Sequence, residues 1–434
     1  MNPLAVELNE KIKKHNPHTY DSLSAMGKAL YFPKGILSQA LEAKEKAYRF
    51  NATSGIALED GGPMHLKTIQ KHLSSYNPKD IYPYAPPAGK PELRQAWKEK
   101  ILEDNPSLAG KKIGLPIVTN ALTHGLAIVA DLFCDQGDMV VIPDKLWGNY
   151  RLTFEVKHGG QVVTYPLFTQ DNKFNAQALK ETLLAHQDKG KAIVILNFPN
   201  NPTGYTPSVE EGEQIVQAIK EAAEAGMNIV AVTDDAYFGL FFEESMQESL
   251  FAKLADLHPR VLAVKVDGAT KEQFVWGFRV GFITFASPYD EVLEALETKT
   301  MGSIRGEISN SPHPSQTFVL EAMRDPNFKQ EVKEKVEIMK ARANKVKEVL
   351  DTTDKYKEVW DYYPFNSGYF MCLKLKDGVD SEELRLHLLD KYGVGTVSLA
   401  STDLRVAFSC VEVEDIPEIF ELIYQAVCDL RGKK

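Results

Sequence analysis

The stretch AIVILNFPNNPTGYTPSVEEGEQIVQAIKEAAEAGMNIVAVTDDAYFG (192–239) runs from an apolar segment through an irregular loop and an amphipathic segment into a second apolar run. AIVILN (192–197) and MNIVAVTD (227–234) are short and β-branched, which suits strands buried on both faces. Between them, SVEEGEQIVQAIKEAAEAG (208–226) has helical spacing of its apolar residues, with Ser208 placed to cap its start and Gly226 to stop it. A strand, a helix and a second strand in this order imply parallel strands joined by a crossover. Ligands of such sheets sit at the carboxyl ends of the strands.

The same rhythm extends in both directions. IVT (117–119), MVVIP (139–143), QVVTYP (161–166) and VLAVKV (261–266) read as further strands, with HGLAIVADLF and AQALKETLLAHQ as helices between them. After about residue 310 the pattern changes. A long charged helix (327–351) precedes an alternating strand GYFMCLKL (368–375), a helix (381–391), a short strand LRVAF (404–408) and a closing helix (415–431). We therefore expect a large α/β domain over 60–310 and a smaller α+β domain built from 1–59 and 311–434.

Composition narrows the function. The chain has 434 residues, 44% hydrophobic and 25% charged, with a formal charge of −10. That balance opposes a nucleic-acid partner, whose phosphates need a basic face, but leaves room for small anions held by a few arginines. No apolar run is long enough for a membrane span, and MNPLAVELNEKIKKHNPH lacks the apolar stretch of a secretory signal. Cys134, Cys372, Cys410 and Cys428 form no close pair and read as reduced, mostly buried thiols, so a cytoplasmic location is expected. KQEVKEKVEIMKARANKVKEV has the charge pattern of a solvated helix face.

No GxGxxG after a strand, GxxxxGK[ST], GxSxG or HExxH occurs, and the histidines show no metal-ligand spacing; no metal is expected. Three other segments stand at strand ends. NFPNNPTG (197–204) must form an irregular loop. VTDDAYFG (232–239) ends a strand in Asp234, with Tyr237 three residues on; taken alone, helix cap and functional acid are equally good readings. DGATKEQFVWGFRVG (267–281) places Lys271 eight residues before Arg279.

Together and in this order, these segments resemble the class I/II aminotransferases of the fold-type-I pyridoxal-5′-phosphate (PLP) enzymes, over roughly residues 80 to 410. The resemblance implies a mostly parallel seven-stranded sheet and a homodimer with shared active sites. It makes Lys271 the residue that carries PLP as a Schiff base, which requires an amine that can be desolvated and deprotonated near neutral pH. It makes Asp234 the carboxylate that keeps the cofactor's ring nitrogen protonated. Asp235, its neighbour, should face elsewhere. Asn201 and Tyr237 match the donors to the ring oxygen. The turn IVTNALTHGL (117–126) matches the phosphate cup, with the amides of Ala121, Leu122 and Thr123 and the cation of Arg279. Ala-Leu replaces the family's more usual Gly-Ser, and Gly268 stands where a Ser or Thr is usual, so two hydroxyls are lost.

Trp147, in PDKLWGNY (143–150), stacks on the cofactor ring by this resemblance; the other reading is a half-buried interface aromatic. Tyr84, in YAPPAGKPELR (84–94), matches the tyrosine that reaches the neighbouring subunit's phosphate. Arg405, in LRVAF, matches the clamp for the substrate's α-carboxylate, and Gly55, in NATSGIAL, the glycine that caps the substrate. Asn201 and Trp147 also border the substrate. Arg305, in IRGEISN (304–310), resembles the arginine of the aspartate and aromatic subgroup that reaches a distal carboxylate across the dimer. A surface arginine at a helix end is its other reading, since Ile308 replaces the subgroup's aromatic.

The implied reaction is ping-pong transfer of an amino group from an L-amino acid to a 2-oxo acid such as 2-oxoglutarate. Aspartate or a related dicarboxylate is the first expected donor and an aromatic amino acid the second. A lyase or decarboxylase would use the same Lys and Asp, and amino transfer to 2-oxoglutarate separates the two. A non-catalytic sensor built on this fold would carry an added DNA-binding unit, for which the chain has neither spare length nor a basic arm.

Overall fold

The computed structural model describes residues 1–15, 23, 25–29, 36–53, 55–71 and 75–432. Helix α1 (Pro91–Asp104) leads into strand β1 (Ile117–Asn120) and helix α2 (Ala121–Phe133). Strands β2 (Met139–Pro143), β3 (Gln161–Tyr165) and β4 (Lys191–Asn197) follow, then helix α3 (Val209–Glu224) and strands β5 (Asn228–Asp234), β6 (Val261–Asp267) and β7 (Val280–Ala286). The seven strands form one sheet in the order β1-β7-β6-β5-β4-β2-β3. Neighbours among β2 to β6 are parallel, whereas β7 is antiparallel to both β1 and β6. The central strands are buried along almost their whole length, as crossover helices on both faces require.

Helix α3 begins where its sequence placed it. The Ser208 hydroxyl accepts from the Glu211 amide at 3.2 Å, and the Glu211 carboxylate accepts from the Ser208 amide at 2.7 Å. Gly226, with φ +103°, turns the chain out of the helix into β5.

Further along come helix α4 (Asp290–Glu307) and the 25-residue helix α5 (Phe328–Thr352). A four-stranded antiparallel sheet follows, made of β8 (Trp360–Tyr362), β9 (Met371–Leu375), β10 (Val397–Ala400) and β11 (Asp403–Val406) in the order β8-β9-β11-β10. Helix α6 (Ile416–Gly432) closes the chain. Phe50 and Asn51 pair in parallel with Val394 and Gly395, which attaches the N-terminal segment to this later part.

Several elements differ from the sequence reading. β7 is absent from the strands the sequence predicts, and β8 and β10 are too short or too mixed to register there. The expected strand 368–375 starts only at Met371, because Gly368 is left-handed at φ +75°. The strand expected over 404–408 ends at Val406, and Phe408 begins a 3₁₀ turn. The helix expected over 381–391 is α-helical only to His387 and widens to π geometry over Leu388–Tyr392. A second π-helix, Arg151–Lys157, has no counterpart in the sequence reading. Cys134 and Cys372 are buried, but Cys410 is only partly so and Cys428 is exposed. Among the described residues no helix is long and apolar enough to cross a membrane.

Candidate active site

Parallel strands bring their carboxyl ends to one edge, and the chemistry collects there. Asn197 ends β4 and Asp234 ends β5, directly paired in the sheet register. The Asn197 side-chain amide donates to the Asp234 carbonyl at 2.9 Å, and its oxygen accepts from the Asn201 amide at 2.9 Å. One strand end thus fixes both the next strand and the NFPNNPTG loop.

Asp234 is 3% exposed. The Tyr150 hydroxyl donates to its Oδ2 at 2.6 Å, and its Oδ1 has no partner among the described residues. Burial raises the carboxyl to about 6, against the opposing pull of Tyr150 and the Lys271 ammonium. Lys271 follows β6 on a short helix, with its Nζ 5.1 Å from the centroid of the Tyr237 ring. Burial lowers its amine to about 8, and Asp234 offsets part of that effect. The Tyr369 hydroxyl donates to the Lys271 carbonyl at 3.1 Å and steadies the backbone there.

Asp235 points away, as its alternation in the strand requires. Its carboxylate pairs with the Lys265 ammonium, which is 1% exposed, and accepts from the Ser249 hydroxyl at 2.6 Å. Lys265 lies 3.5 Å from Asp267 as well, so this second lysine is already committed.

Because β7 runs antiparallel, its first residue meets the other strands' last ones: Val280 pairs with Asn120. Arg279, just before β7, therefore comes to the start of α2. Among the described residues no side chain caps that helix, which leaves its first amides to bind an anion. Ala121, buried, is left-handed at φ +62°, and a Cβ on Gly281 would stand 2.6 Å from the Ala121 backbone. Gly268 has no room for the family's hydroxyl either; its Cβ would meet the Val280 carbonyl at 2.6 Å. Leu122 is buried, while Thr123 is exposed.

From the smaller sheet, Arg405 reaches the same place. It is 1% exposed; its Nη1 donates to Asn201 Oδ1 at 2.9 Å and its Nη2 to the Thr53 carbonyl at 3.1 Å, with the guanidinium 4.0 Å over the Phe370 ring. Its Nε has no partner among the described residues. Gly55, two residues past Thr53, is exposed with open space around it. Trp147 is half-buried, edge-on to Tyr150 at 5.5 Å.

Lys271, Asp234, Tyr237, Asn201 and Arg405 are thus brought together, with Trp147 and the Ala121–Arg279 corner beside them. Two residues stand apart. Tyr84 is 88% exposed, and Arg305 is exposed, its guanidinium on the Ser309 hydroxyl; neither hydrogen-bonds to the cluster within one chain. Sequence reasoning missed Tyr150, Asn197, Thr53 and Phe370. Only Tyr150 had a readable signal, its spacing of three from Trp147.

A buried carboxylate with one free oxygen, a desolvated lysine, an uncapped helix start and an arginine beside it suit a ring nitrogen, an aldehyde and a phosphate on one ligand. They fit pyridoxal phosphate, and with the sheet order they define a fold-type-I PLP enzyme. The chain belongs to the aminotransferase class I and II family, whose model matches residues 57–423; it is a PLP-dependent aminotransferase.

Among relatives, a probable aspartate/prephenate aminotransferase of Aquifex aeolicus (strain VF5) is 28% identical over 320 residues, 72% of this chain and 75% of that one. An aspartate aminotransferase of Bacillus sp. (strain YM-2) is 29% identical over 243 residues, 56% of this chain and only 57% of the other. A solved aminotransferase from Anaerococcus prevotii superimposes with a TM-score of 0.81 at 25% identity, covering 91% of this chain and 96% of that one. An α-aminoadipate aminotransferase from Thermus thermophilus, complexed with N-(5′-phosphopyridoxyl)-L-leucine, shares the fold with a TM-score of 0.75 at 20% identity over 95% and 99% of the two chains.

Proposed function

We propose that the protein exchanges an amino group between an L-amino acid, aspartate or another dicarboxylate first and an aromatic one second, and a 2-oxo acid such as 2-oxoglutarate. The observation that carries this reading is the buried Asp234 carboxylate, with its unpartnered Oδ1, beside the desolvated Lys271 amine. The aspartate preference is supported by the names of the two relatives above.

Bound PLP supplies the electron sink that makes the substrate's Cα–H acidic. Asp234 holds a proton on the ring nitrogen, and Tyr150 orients that carboxylate. The Lys271 amine, neutral above about pH 8, takes the proton from substrate Cα and returns it. Tyr237 and Asn201 would hold the ring oxygen, Trp147 would lie against the ring, and the amides of Ala121, Leu122 and Thr123 with the cation of Arg279 would hold the phosphate. Arg405 orients the substrate by its α-carboxylate, with Gly55 closing over it.

The same reading makes the protein a cytoplasmic homodimer, in which Tyr84 and Arg305 serve the partner's site; their exposure in the single chain supports it. It divides the chain into 60–310 and 1–59 with 311–434, supported by the pairing of Phe50–Asn51 with Val394–Gly395.

Lys271→Ala tests the reading. The variant should bind PLP without turnover, and borohydride treatment of the wild type should fix a pyridoxyl label on Lys271. A label on Lys265, or amino transfer by the variant, would refute it.

A further inference from the structure

Beside Arg405 runs a second contact between the same two sheets. Asp403 lies two residues earlier on β11, so both side chains leave one face, about 6.7 Å apart along the strand. Lys145, in the loop after β2, places its Nζ 2.8 Å from Asp403 Oδ2 and 4.9 Å from the centroid of the Tyr363 ring. The Tyr363 hydroxyl donates to Asp403 Oδ1 at 3.0 Å, and the Thr402 hydroxyl donates to the same oxygen at 3.2 Å. The two contacts are tied together. Asn200 Nδ2 donates to the Lys145 carbonyl at 3.1 Å, while the next residue, Asn201, accepts from Arg405 at 2.9 Å.

Asp403 is 4% exposed, and Arg405 1%. A buried carboxylate two residues from a buried guanidinium on the same strand face would, if left unpaired, compete for its charge. Were Asp403 left without a cation, Arg405 would be its nearest counter-charge along β11. The arginine's field, which a substrate carboxylate must find unspent, would then be neutralised from within. Lys145 removes that competition by taking Asp403 for itself. Its other acidic neighbour, Asp144, lies farther off at 3.7 Å and is 42% exposed.

We propose that Lys145 is a positioning residue whose ion pair with Asp403 keeps Arg405 available, and so sets the site's affinity for substrate carboxylates. The inference rests on the reading of Arg405 as the carboxylate clamp. Neither Lys145 nor Asp403 touches the reacting atoms, so the effect belongs to binding and not to the chemical step.

The test compares holoenzymes of wild type, Lys145→Met, Lys145→Arg, Asp403→Asn, the Lys145→Met/Asp403→Asn pair and Arg405→Gln. Maleate binding is read by calorimetry, and kcat and KM are read for both substrates. Lys145→Met should weaken maleate about tenfold or more and raise both KM values in parallel, with kcat held within about twofold. Lys145→Arg should bind as the wild type does. The double variant should recover most of the lost affinity, because the competing carboxylate is gone; a purely structural bridge would show in the urea midpoint and in kcat and leave the maleate affinity of the folded enzyme unchanged.

Wild-type affinity in Lys145→Met, or a double variant as weak as the single one, overturns the proposal. Arg405→Gln separates the two layers. If it binds maleate as tightly as the wild type, the clamp reading fails and this inference with it. If it binds weakly while Lys145→Met does not, only this inference falls.

Discussion

Asp234→Asn should stabilise the apoprotein while crippling the holoenzyme. In the folded chain burial raises the Asp234 carboxyl from 3.8 to about 6. The folded state therefore holds that proton more tightly than the unfolded one, and stability is lost as pH rises between those two values. At about 1.36 kcal/mol per pH unit, the gap costs the apoprotein about 3 kcal/mol at pH 8 and about 1.6 kcal/mol at pH 5. Asparagine is the same size, carries no charge, and its oxygen still accepts from the Tyr150 hydroxyl. Urea denaturation of PLP-free wild type and variant at the two pH values gives the assay. The variant should be the more stable by about 3 kcal/mol at pH 8, with the advantage roughly halved at pH 5. With PLP bound the order should reverse, because the ring nitrogen's positive charge offsets the buried carboxylate only in the wild type, and turnover in the variant should fall by several kcal/mol of barrier. An apo variant no more stable than the wild type at pH 8, or a difference that ignores pH, would refute the claim that Asp234 is a buried charge only partly compensated by Tyr150 and Lys271.

Asp235→Asn should do the opposite. It strips Lys265 of its nearest partner and should cost about 3–5 kcal/mol of stability, seen in urea midpoints. Turnover per folded enzyme should stay close to wild type; a loss matching that of Asp234→Asn would mean the strand faces are wrongly assigned. Mixing Lys271→Ala and Arg305→Ala protomers should restore some activity toward aspartate, since one composite site per heterodimer is intact; verified heterodimers without that activity would count against shared sites. Arg305→Leu should lower kcat/KM for aspartate by several kcal/mol and leave phenylalanine nearly unchanged, as loss of one charge-assisted pair in a dry site requires. Equal losses for both substrates would make Arg305 structural.

The elements carrying their own local signal were legible in the sequence. β4, β5 and α3 came from runs that obey one period each, ended by a cap or a glycine, and their observed bounds lie within a residue or two of the expected ones. Lys271, Asp234 and Asn201 stood out only together, as three segments in one order near strand ends that resembles a known family; each alone reads as a solvated charge, a helix cap or a turn residue. Alternation alone sent Asp235 to the other face. What stayed hidden depends on partners distant in sequence. β7 became a strand in an antiparallel register that brings Arg279 to the start of α2, and nothing in GFITFA announces a direction. Tyr150 is an ordinary aromatic until tertiary folding sets its hydroxyl on a carboxylate 84 residues away. Lys145 and Asp403 are 258 residues apart, and each alone reads as a solvated charge. Hydrogen bonds and ion pairs have no periodicity along the chain, because their strength depends on distance and burial, and both are set only when the two sheets pack together.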